Sequence, residues 1–211
     1  MIPVTVFVDW TAQFHNAGTN RIEDAKTRSK LTLRKTADAI ADVLSKVDKK
    51  SRYRVKLRFY HGWHAGLSPT ANRLVLQFLD SEYDLSPSTY PNVRFEHPFS
   101  YGDRLLAALP HRLRQKNPII HLPDTLRSSL DDSGRPREKM VDTALACDLL
   151  VHARMEADEW RIVFAEDDDL VPALFVAEAW SKSSGGKTFL VRKRPGSKHL
   201  ALDGLVKEYL A

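Results

Sequence analysis

Four consecutive acidic residues, 166 to 169, follow an apolar run that has the pattern of a buried strand. One Asp is enough to cap the helix that the next residues predict, so capping accounts for a single member of the run. Two like charges about 4 Å apart repel each other by about 4 kcal/mol at an effective dielectric constant of ~20. The run is therefore either a solvated helix start or part of a site in which a cation offsets the repulsion.

Two more acidic residues stand where they could serve the same chemistry. Asp9 ends the first apolar run, and Asp142 lies in a helical pattern that is apolar almost all round. An Asp on such a helix is seldom buried without a partner, and Lys139 is one such partner through an ordinary ion pair on the helix surface. Asp148 lies about 120° round the helix from Asp142, so it is the weaker candidate for a shared ligand.

Strands and helices that alternate along the chain position these acids. The predicted strands cover residues 4–9, 53–63, 92–100, 159–166 and 187–193. The predicted helices cover residues 31–47, 68–83, 138–155, 168–182 and 197–210. The alternation predicts one α/β domain over residues 1–211, with a doubly wound, mainly parallel sheet flanked by helices. Such sheets bind ligands beyond the carboxyl ends of the strands, where the strand order reverses, so Asp9 and the acidic run meet if their strands are neighbours there.

Less regular segments lie between these elements. Residues 10–30 predict a long polar connection of the kind that is often functional. Ser68 and Pro69 are predicted to begin the second helix as its N-cap and first residue. The stretch 100–137 predicts an irregular insertion that holds a short helix at 103–113 and then a β-ribbon.

The composition is that of a globular protein with a preference for a polyanionic partner. Of the 211 residues, 43% are hydrophobic and 28% are charged, and the formal net charge is +5. Basic residues concentrate between Lys26 and Arg58, and smaller groups follow, which together favour nucleic acid. No apolar run reaches about 18 residues, so we expect no membrane span.

Cysteine usage and the first residues bear on the compartment. Cys147 is the one cysteine and cannot form an internal disulfide, which favours a reducing, cytoplasmic location. The first ten residues read as a strand rather than a signal peptide. A homo-oligomer or a protein partner stays open.

Three short segments, VFVDW, EKMVDTALACDLL and IVFAEDDDLVPAL, follow one another in the order of known family motifs. They resemble the NYN-domain branch of the PIN-like nucleases, in which a strand-one Asp, a Lys-x-x-Asp at a helix start and a Ser-Gly-Asp-x-Asp-Phe-x-Pro strand end assemble one site. The residues that match these motifs are Asp9, Lys139, Asp142, Asp167, Asp169 and Pro172. The resemblance implies a PIN-like, Rossmannoid fold and a metal-dependent nuclease that acts on single-stranded RNA rather than on DNA.

The chain departs from that pattern at several positions. Ala12 stands where the family often has Asn, and Asn16 is the nearest substitute. Ala165 and Glu166 replace the Ser-Gly pair, and Leu170 replaces the Phe. Loss of the Ser hydroxyl removes a group that could orient a carboxylate. The same resemblance therefore also fits a weak or inactive module that binds RNA or a protein.

The resemblance implies a carboxylate site for Mg²⁺ or Mn²⁺, hard cations that take oxygen ligands. The ion activates water and stabilises charge on the attacking and leaving oxygens of a phosphodiester. The implied catalytic residues and metal ligands are Asp9, Asp142, Asp167 and Asp169, with Glu166, Asp168 and Asp148 as weaker ligand candidates. The candidates for substrate binding are Lys139, Asn16, Trp63, His64 and Arg137. Trp63 and His64 either stack on an unpaired base or pack at the edge of the core.

Other chemistries find less support in the residues. A phosphatase of the haloacid-dehalogenase type needs a second Asp two residues after the first, and Thr11 stands there. His15 and His64 lack the Cys/His spacing of a zinc site. No Gly-rich phosphate loop indicates the use of ATP.

Overall fold

Eleven strands and five α-helices make up the part of the chain that a computed structural model describes. This part covers residues 1–19, 22, 24–82, 85, 90–107, 121–130, 134, 136–193 and 207–210. The strands are β1 (Ile2–Asp9), β2 (Tyr53–Tyr60), β3 (His64–Ala65), β4 (Ser68–Pro69), β5 (Val93–Phe95), β6 (Ser100–Tyr101), β7 (Leu126–Leu130), β8 (Pro136–Glu138), β9 (Trp160–Phe164), β10 (Lys187–Arg192) and β11 (Lys207–Leu210). The helices are α1 (Trp10–Asn16), α2 (Ala25–Val47), α3 (Ala71–Glu82), α4 (Val141–Met155) and α5 (Val171–Ser181).

Seven of these strands form a central sheet in which every described pairing is parallel. Its order is β11-β10-β9-β1-β2-β5, and β6 also pairs with β2. Because β2 lies on one side of β1 and the later β9 lies on the other, the strand order reverses at β1. Val8 lies opposite Phe164 in β9, which brings Asp9 beside the start of the acidic run. The predicted α/β fold with a mainly parallel sheet flanked by helices is confirmed, and it is consistent with a PIN-like arrangement.

Helices cover both faces of the sheet, so the central strands are apolar on both sides. Successive side chains of a strand point to opposite faces. Val4, Val6 and Val8 accordingly pack in one cluster with residues of α2 and α3, whereas Phe7 packs in a second cluster with residues of α4 and α5. The two layers hold β1 from both sides and thereby fix Asp9 at its end. Across the described ranges, every helix is too short or too polar to cross a membrane.

The prediction of a long connection over 10–30 is wrong, because helices occupy much of it. α1 begins directly after β1, where Oδ1 of Asp9 accepts a hydrogen bond from Ala12 N at 3.0 Å and caps the helix. Asp24 caps α2 in the same way, through Thr27 N at 2.8 Å. α1 has only seven residues, which is too short for an apolar period to show in the sequence.

Two helices also begin later in the chain than predicted. Ser68 and Pro69 form β4, which pairs with β3, and the hydroxyl of Thr70 takes the capping role by accepting a hydrogen bond from Arg73 N at 3.3 Å. α4 begins later than predicted because Glu138 ends β8. In both places a short strand pairing replaces the first turn of the expected helix.

The remaining strand predictions are confirmed in part. The third predicted strand is split into β5 and β6, which both pair with β2, and the predicted ribbon is the antiparallel pair β7 and β8. Of the helix predicted at 103–113, residues 103–107 are not helical and the others lie outside the described residues. The helix predicted at 197–210 is wrong at its end, where the backbone of β11 pairs with the sheet edge at β10. Residues 197–206 lie outside the described residues.

A buried charged network joins α4 to β2. Oδ2 of the fully buried Asp148 accepts hydrogen bonds from Arg58 Nε at 2.9 Å, from Arg58 Nη2 at 2.6 Å and from the Tyr60 hydroxyl at 2.9 Å. Its Oδ1 accepts a hydrogen bond from Leu106 N at 2.7 Å. The structure therefore places Asp148 in the core as a structural counter-ion and not among the candidate metal ligands.

We expect Asp148→Asn to destabilise the protein strongly, because the buried Arg58 loses its counter-ion. Breaking a buried ion pair from one side costs about 3–5 kcal/mol, which urea unfolding followed by circular dichroism measures. The control is Asp42→Asn, since the partly exposed Asp42 pairs with Lys46 on the surface of α2 and accepts one further hydrogen bond, from the Tyr90 hydroxyl at 3.1 Å. Such a surface pair contributes about 0.3–0.5 kcal/mol. Similar losses in the two variants would contradict the structural role of Asp148.

Candidate functional site

Asp9 stands at the carboxyl edge of the sheet, where the strand order reverses. It is the last residue of β1 and the N-cap of α1. Burial raises the pKa of Asp9 from its ordinary value of 3.8 to about 7, against the lowering effect of the hydrogen bond from Ala12. The negative charges of Asp142, Glu138 and Asp167 raise it further. Three carboxylates from two distant segments of the chain therefore lie near enough for their charges to act on Asp9.

Glu138 is a member of this cluster that the sequence analysis missed. Its Oε1 accepts hydrogen bonds from Gly62 N at 2.5 Å and from the Thr11 hydroxyl at 2.7 Å. Burial raises the pKa of Glu138, the two hydrogen bonds lower it, and the charge of Asp142 raises it again. The signal for Glu138 is its place directly before Lys139 in the EKMVD segment, where a Glu also suits a helix start.

Asp142 reaches the cluster through a tight junction between β8 and α4. Met140 adopts a left-handed conformation, with φ 67° and ψ −2°, and α4 begins at the next residue. Asp142 thus lies in the first turn of the helix, where the helix dipole favours a negative charge. Asp142 is exposed to solvent. Partial desolvation by the surrounding protein nevertheless raises the pKa of Asp142, and the charges of Asp167 and Asp169 add to the rise.

Two of the four acids of the run, Glu166 and Asp168, contact residues at or just after the end of β10. Asp168 forms an ion pair with Arg192, whose side chain is 2% exposed. Glu166 accepts a hydrogen bond from the backbone N of Lys193 at 2.9 Å. These contacts offset part of the repulsion within the run. They also give Glu166 and Asp168, two of the three weaker ligand candidates, a partner within the protein.

The other half of the run faces the carboxylates of the other segments. Asp167 accepts a hydrogen bond from Asp169 N at 2.9 Å and so caps the short 3-10 helix before α5. Its charge acts on both Asp9 and Asp142. Among the described residues, however, no three of these carboxylates bring their oxygens within 4.8 Å of one another. Side-chain rotation is therefore needed before they share one ion.

The donor set fits a hard divalent cation. All of its members are carboxylates, whose oxygens are the ligands that Mg²⁺ and Mn²⁺ prefer. Burial is the main cause of the raised pKa of Asp9, and the neighbouring negative charges add to it. A divalent cation would offset these charges and favour the ionised carboxylates. Asp9, Asp142 and Asp167 are the residues that would hold it, with Glu138 and Asp169 beside them.

A groove with a volume of about 690 Å³ opens beside these residues. Thr11 and Glu138 line it at the carboxylate end, and Arg137 and Lys139 line it with exposed cationic side chains. Basic side chains next to a cluster of carboxylates that is a candidate for metal binding suit a polyanionic ligand. Asn16 lies at the far end of α1, about 10 Å along the helix axis from Asp9, so the structure does not bring it to the carboxylates.

The two aromatic candidates for base stacking lie in the interior. Trp63 is fully buried and its ring centroid is 6.0 Å from that of Tyr60, while His64 is only 8% exposed. The hydroxyl of Thr125 accepts hydrogen bonds from the backbone N of Trp63 at 2.8 Å and of His64 at 3.1 Å. Trp63 therefore packs in the core and is closed to an unpaired base, and His64 presents too little surface for stacking.

Comparisons with known proteins identify no relative of the chain. A scan against protein-family models finds no match, and searches of curated proteins and of solved structures find none either. The resemblance to PIN-like nucleases therefore depends on the three sequence segments and on the way the fold arranges them.

We expect Asp9→Asn to raise the stability of the protein at pH 8. The wild type then carries an ionised Asp9 in surroundings that disfavour its charge, whereas Asn removes the charge and remains a good N-cap. Since the folded pKa of about 7 lies above the ordinary value of 3.8, the wild type loses stability as the pH rises between these values. The gain in the free energy of unfolding is about 1–3 kcal/mol at pH 8 and shrinks toward pH 4. Urea unfolding across this pH range measures it.

Asp24→Asn is the matched control, because Asp24 is the exposed N-cap of α2. Hydrogen bonds from Thr27 lower the pKa of Asp24, so its ionised form stabilises the fold at pH values above the ordinary range of Asp. The control variant should therefore lose stability at pH 8. A loss of the same sign in Asp9→Asn would mean that the surrounding carboxylates do not disfavour the charge of Asp9.

Proposed function

We propose that the chain is a metal-dependent nuclease that hydrolyses phosphodiester bonds, with single-stranded RNA as its substrate. The observation that carries the proposal is the convergence of Asp142, Glu138 and Asp167 on Asp9, whose pKa rises to about 7. Carboxylates that repel one another cost stability, and perturbed groups of this kind cluster at functional sites. The choice of RNA over DNA follows from the resemblance to the NYN-domain nucleases.

Each carboxylate has a distinct part in this proposal. Mg²⁺ or Mn²⁺ supplies Lewis-acid chemistry and positive charge when it is bound. Asp9, Asp142 and Asp167 hold the ion, and Asp9 is pre-positioned by its hydrogen bond with Ala12 N. Glu138 is fixed by its contacts with Gly62 and Thr11 and keeps a further negative charge at the edge of the site. Without a cation these groups repel a phosphodiester, so activity depends on the metal.

The groove supplies a place for the anionic chain of the substrate. Arg137 and Lys139 lie next to Glu138 in sequence and line the same groove, so phosphates held there lie beside the carboxylates. Long cationic side chains bind phosphate chiefly by charge and give affinity that falls with added salt. Lys139 is held in place by its backbone N, which donates a hydrogen bond to Thr125 O at 2.9 Å.

A binding module without catalysis is the second candidate. It is favoured by Ala165 and Glu166, which replace the family's Ser-Gly pair, and by the wide spacing of the carboxylate oxygens. Such a module would use the same groove for RNA or for a protein partner. Cleavage and binding therefore need separate measurements.

We expect purified protein to cleave labelled single-stranded RNA with Mn²⁺ and to stop when EDTA removes the metal. Asp9→Asn and Asp142→Asn should each lower the rate by at least about tenfold, the range seen when metal sites lose even a supporting residue. Asp158→Asn is the matched control, because Asp158 is exposed near the amino end of β9, at the opposite edge of the sheet. Its rate should stay at the wild-type value.

The outcomes separate the candidates. Binding of RNA without metal-dependent cleavage supports the module and overturns the nuclease. Turnover of a small phosphate ester, with RNA left intact, supports a phosphatase instead. Cleavage that survives Asp9→Asn would indicate a contaminating nuclease or a different active site.

We expect Arg137→Ala and Lys139→Ala to weaken the binding of single-stranded RNA. Each lost phosphate contact should reduce the slope of log affinity against log salt concentration by about 0.7. Fluorescence anisotropy at several salt concentrations measures the slope, and the Asp9→Asn background prevents cleavage. Lys49→Ala is the control, because Lys49 is exposed before β2 at the opposite edge of the sheet. Slopes that fall equally in all three variants would place the RNA elsewhere.

A further inference from the structure

Two histidines and one aspartate from distant segments meet away from the carboxylate cluster. His64 lies in β3, Asp103 follows β6, and His121 pairs with Arg104 in an isolated antiparallel bridge. One ligand atom from each of the three side chains lies within 4.8 Å of the other two. In the described part of the chain, this is the one group of His, Cys, Asp or Glu side chains with that spacing.

Internal contacts leave part of this group without a partner. The rings of His64 and His121 have centroids 4.9 Å apart, and His121 Nε2 lies 3.6 Å from Asp103 Oδ2. Asp103 is 3% exposed and His64 is 8% exposed. Nevertheless, Oδ1 of Asp103 and Nδ1 of His64 have no hydrogen-bond partner among the described residues. Buried polar atoms are seldom left in this state, because burial removes their hydrogen bonds with water and nothing replaces them.

Arg73 does not fully account for the buried Asp103. Its Nη2 lies 3.4 Å from Asp103 Oδ2, which is long for a hydrogen bond to a charged group, and its guanidinium stacks on the Tyr101 ring at 3.4 Å from the centroid. This contact uses the same carboxylate oxygen that faces His121. The second oxygen of Asp103 stays available for another electropositive partner.

We propose that His64, Asp103 and His121 bind a divalent transition-metal ion of the Zn²⁺ class. Two imidazoles and one carboxylate match the ligands that Zn²⁺ takes in proteins, and they differ from the all-oxygen set around Asp9. His121 is partly open to solvent, which leaves room for a fourth ligand from water.

The consequence of such a site is a further cross-link between segments that already meet through the hydrogen bonds of Thr125 with Trp63 N and His64 N. Asp103 O already accepts a hydrogen bond from Leu122 N at 2.8 Å, which brings the two ends of the 103–121 segment together. An ion bound to all three side chains would tie Asp103 and His121 to β3. It would stabilise the folded protein, because a ligand that binds only the folded state raises the free energy of unfolding.

Zn²⁺ binding to the purified full chain tests the proposal. Equilibrium dialysis with metal analysis, in buffer with millimolar Mg²⁺ to occupy hard-cation sites, should give one Zn²⁺ per chain. Co²⁺ in place of Zn²⁺ should give the visible absorption of a site with nitrogen ligands. His121→Ala, at the exposed position, should weaken the affinity for Zn²⁺ by at least about tenfold. His97→Ala is the control, because His97 pairs with Asp80 outside the group.

The Asp9→Asn variant separates this site from the carboxylate cluster. Zn²⁺ binding that persists in Asp9→Asn and in His97→Ala but is lost in His121→Ala supports the proposal. Absence of bound Zn²⁺, equal affinity in His121→Ala, or loss of binding in Asp9→Asn overturns it, whatever the nuclease assay shows. NMR of the wild-type protein tests the site without a substitution. Shifts of the His64 and His121 ring resonances when Zn²⁺ is added support the proposal, and unchanged resonances contradict it.

Discussion

Parallel pairing of β1 with β9 is the constraint on which the candidate site depends. The two strands are far apart in the chain, yet Val8 and Phe164 are partners in the same ladder. Because both strands run in the same direction, their carboxyl ends lie at the same edge of the sheet. The acids that follow the two strands are therefore brought close together at that edge. The apolar layers on both faces of the sheet enforce this pairing. The energy of the core therefore holds together charges that repel one another.

The structure treats its acidic residues in two different ways. Asp148 is surrounded by donors in the core, and Asp168 has Arg192 as its counter-ion. Asp9 and Asp142 instead face other carboxylates, and their pKa values rise as a result of burial and of those charges. This difference separates acids that have a counter-ion or hydrogen-bond donors within the protein from acids that are candidates for a cation site. The difference is visible only in the fold, since the identity of the residue is the same in every case.

The sequence predicted most strands near the site, but it could not supply contacts between distant side chains. Apolar runs that end in acids identified β1 and β9, because a buried parallel strand leaves a strong local pattern. Glu138 and the group of His64, Asp103 and His121 were missed, since no local period marks residues that meet through tertiary packing. Trp63 illustrates the same limit, because an aromatic residue after a strand has the same local pattern whether it packs inward or outward. Its burial is decided by Tyr60 and by the segment at Thr125.

The turn after β2 lies between the two candidate metal sites. Gly62 in this turn leaves room for its backbone N to approach Glu138. A Cβ at Gly62 would lie 2.9 Å from Leu126 Cδ1 and 3.3 Å from Glu138 Oε1, so only glycine allows its N to approach Glu138 this closely. Two residues further on, His64 belongs to the other group of ligands. The hydroxyl of Thr125 holds the backbone between them by accepting two hydrogen bonds. A short, hydrogen-bonded backbone segment therefore connects the residues around Glu138 with those around His64.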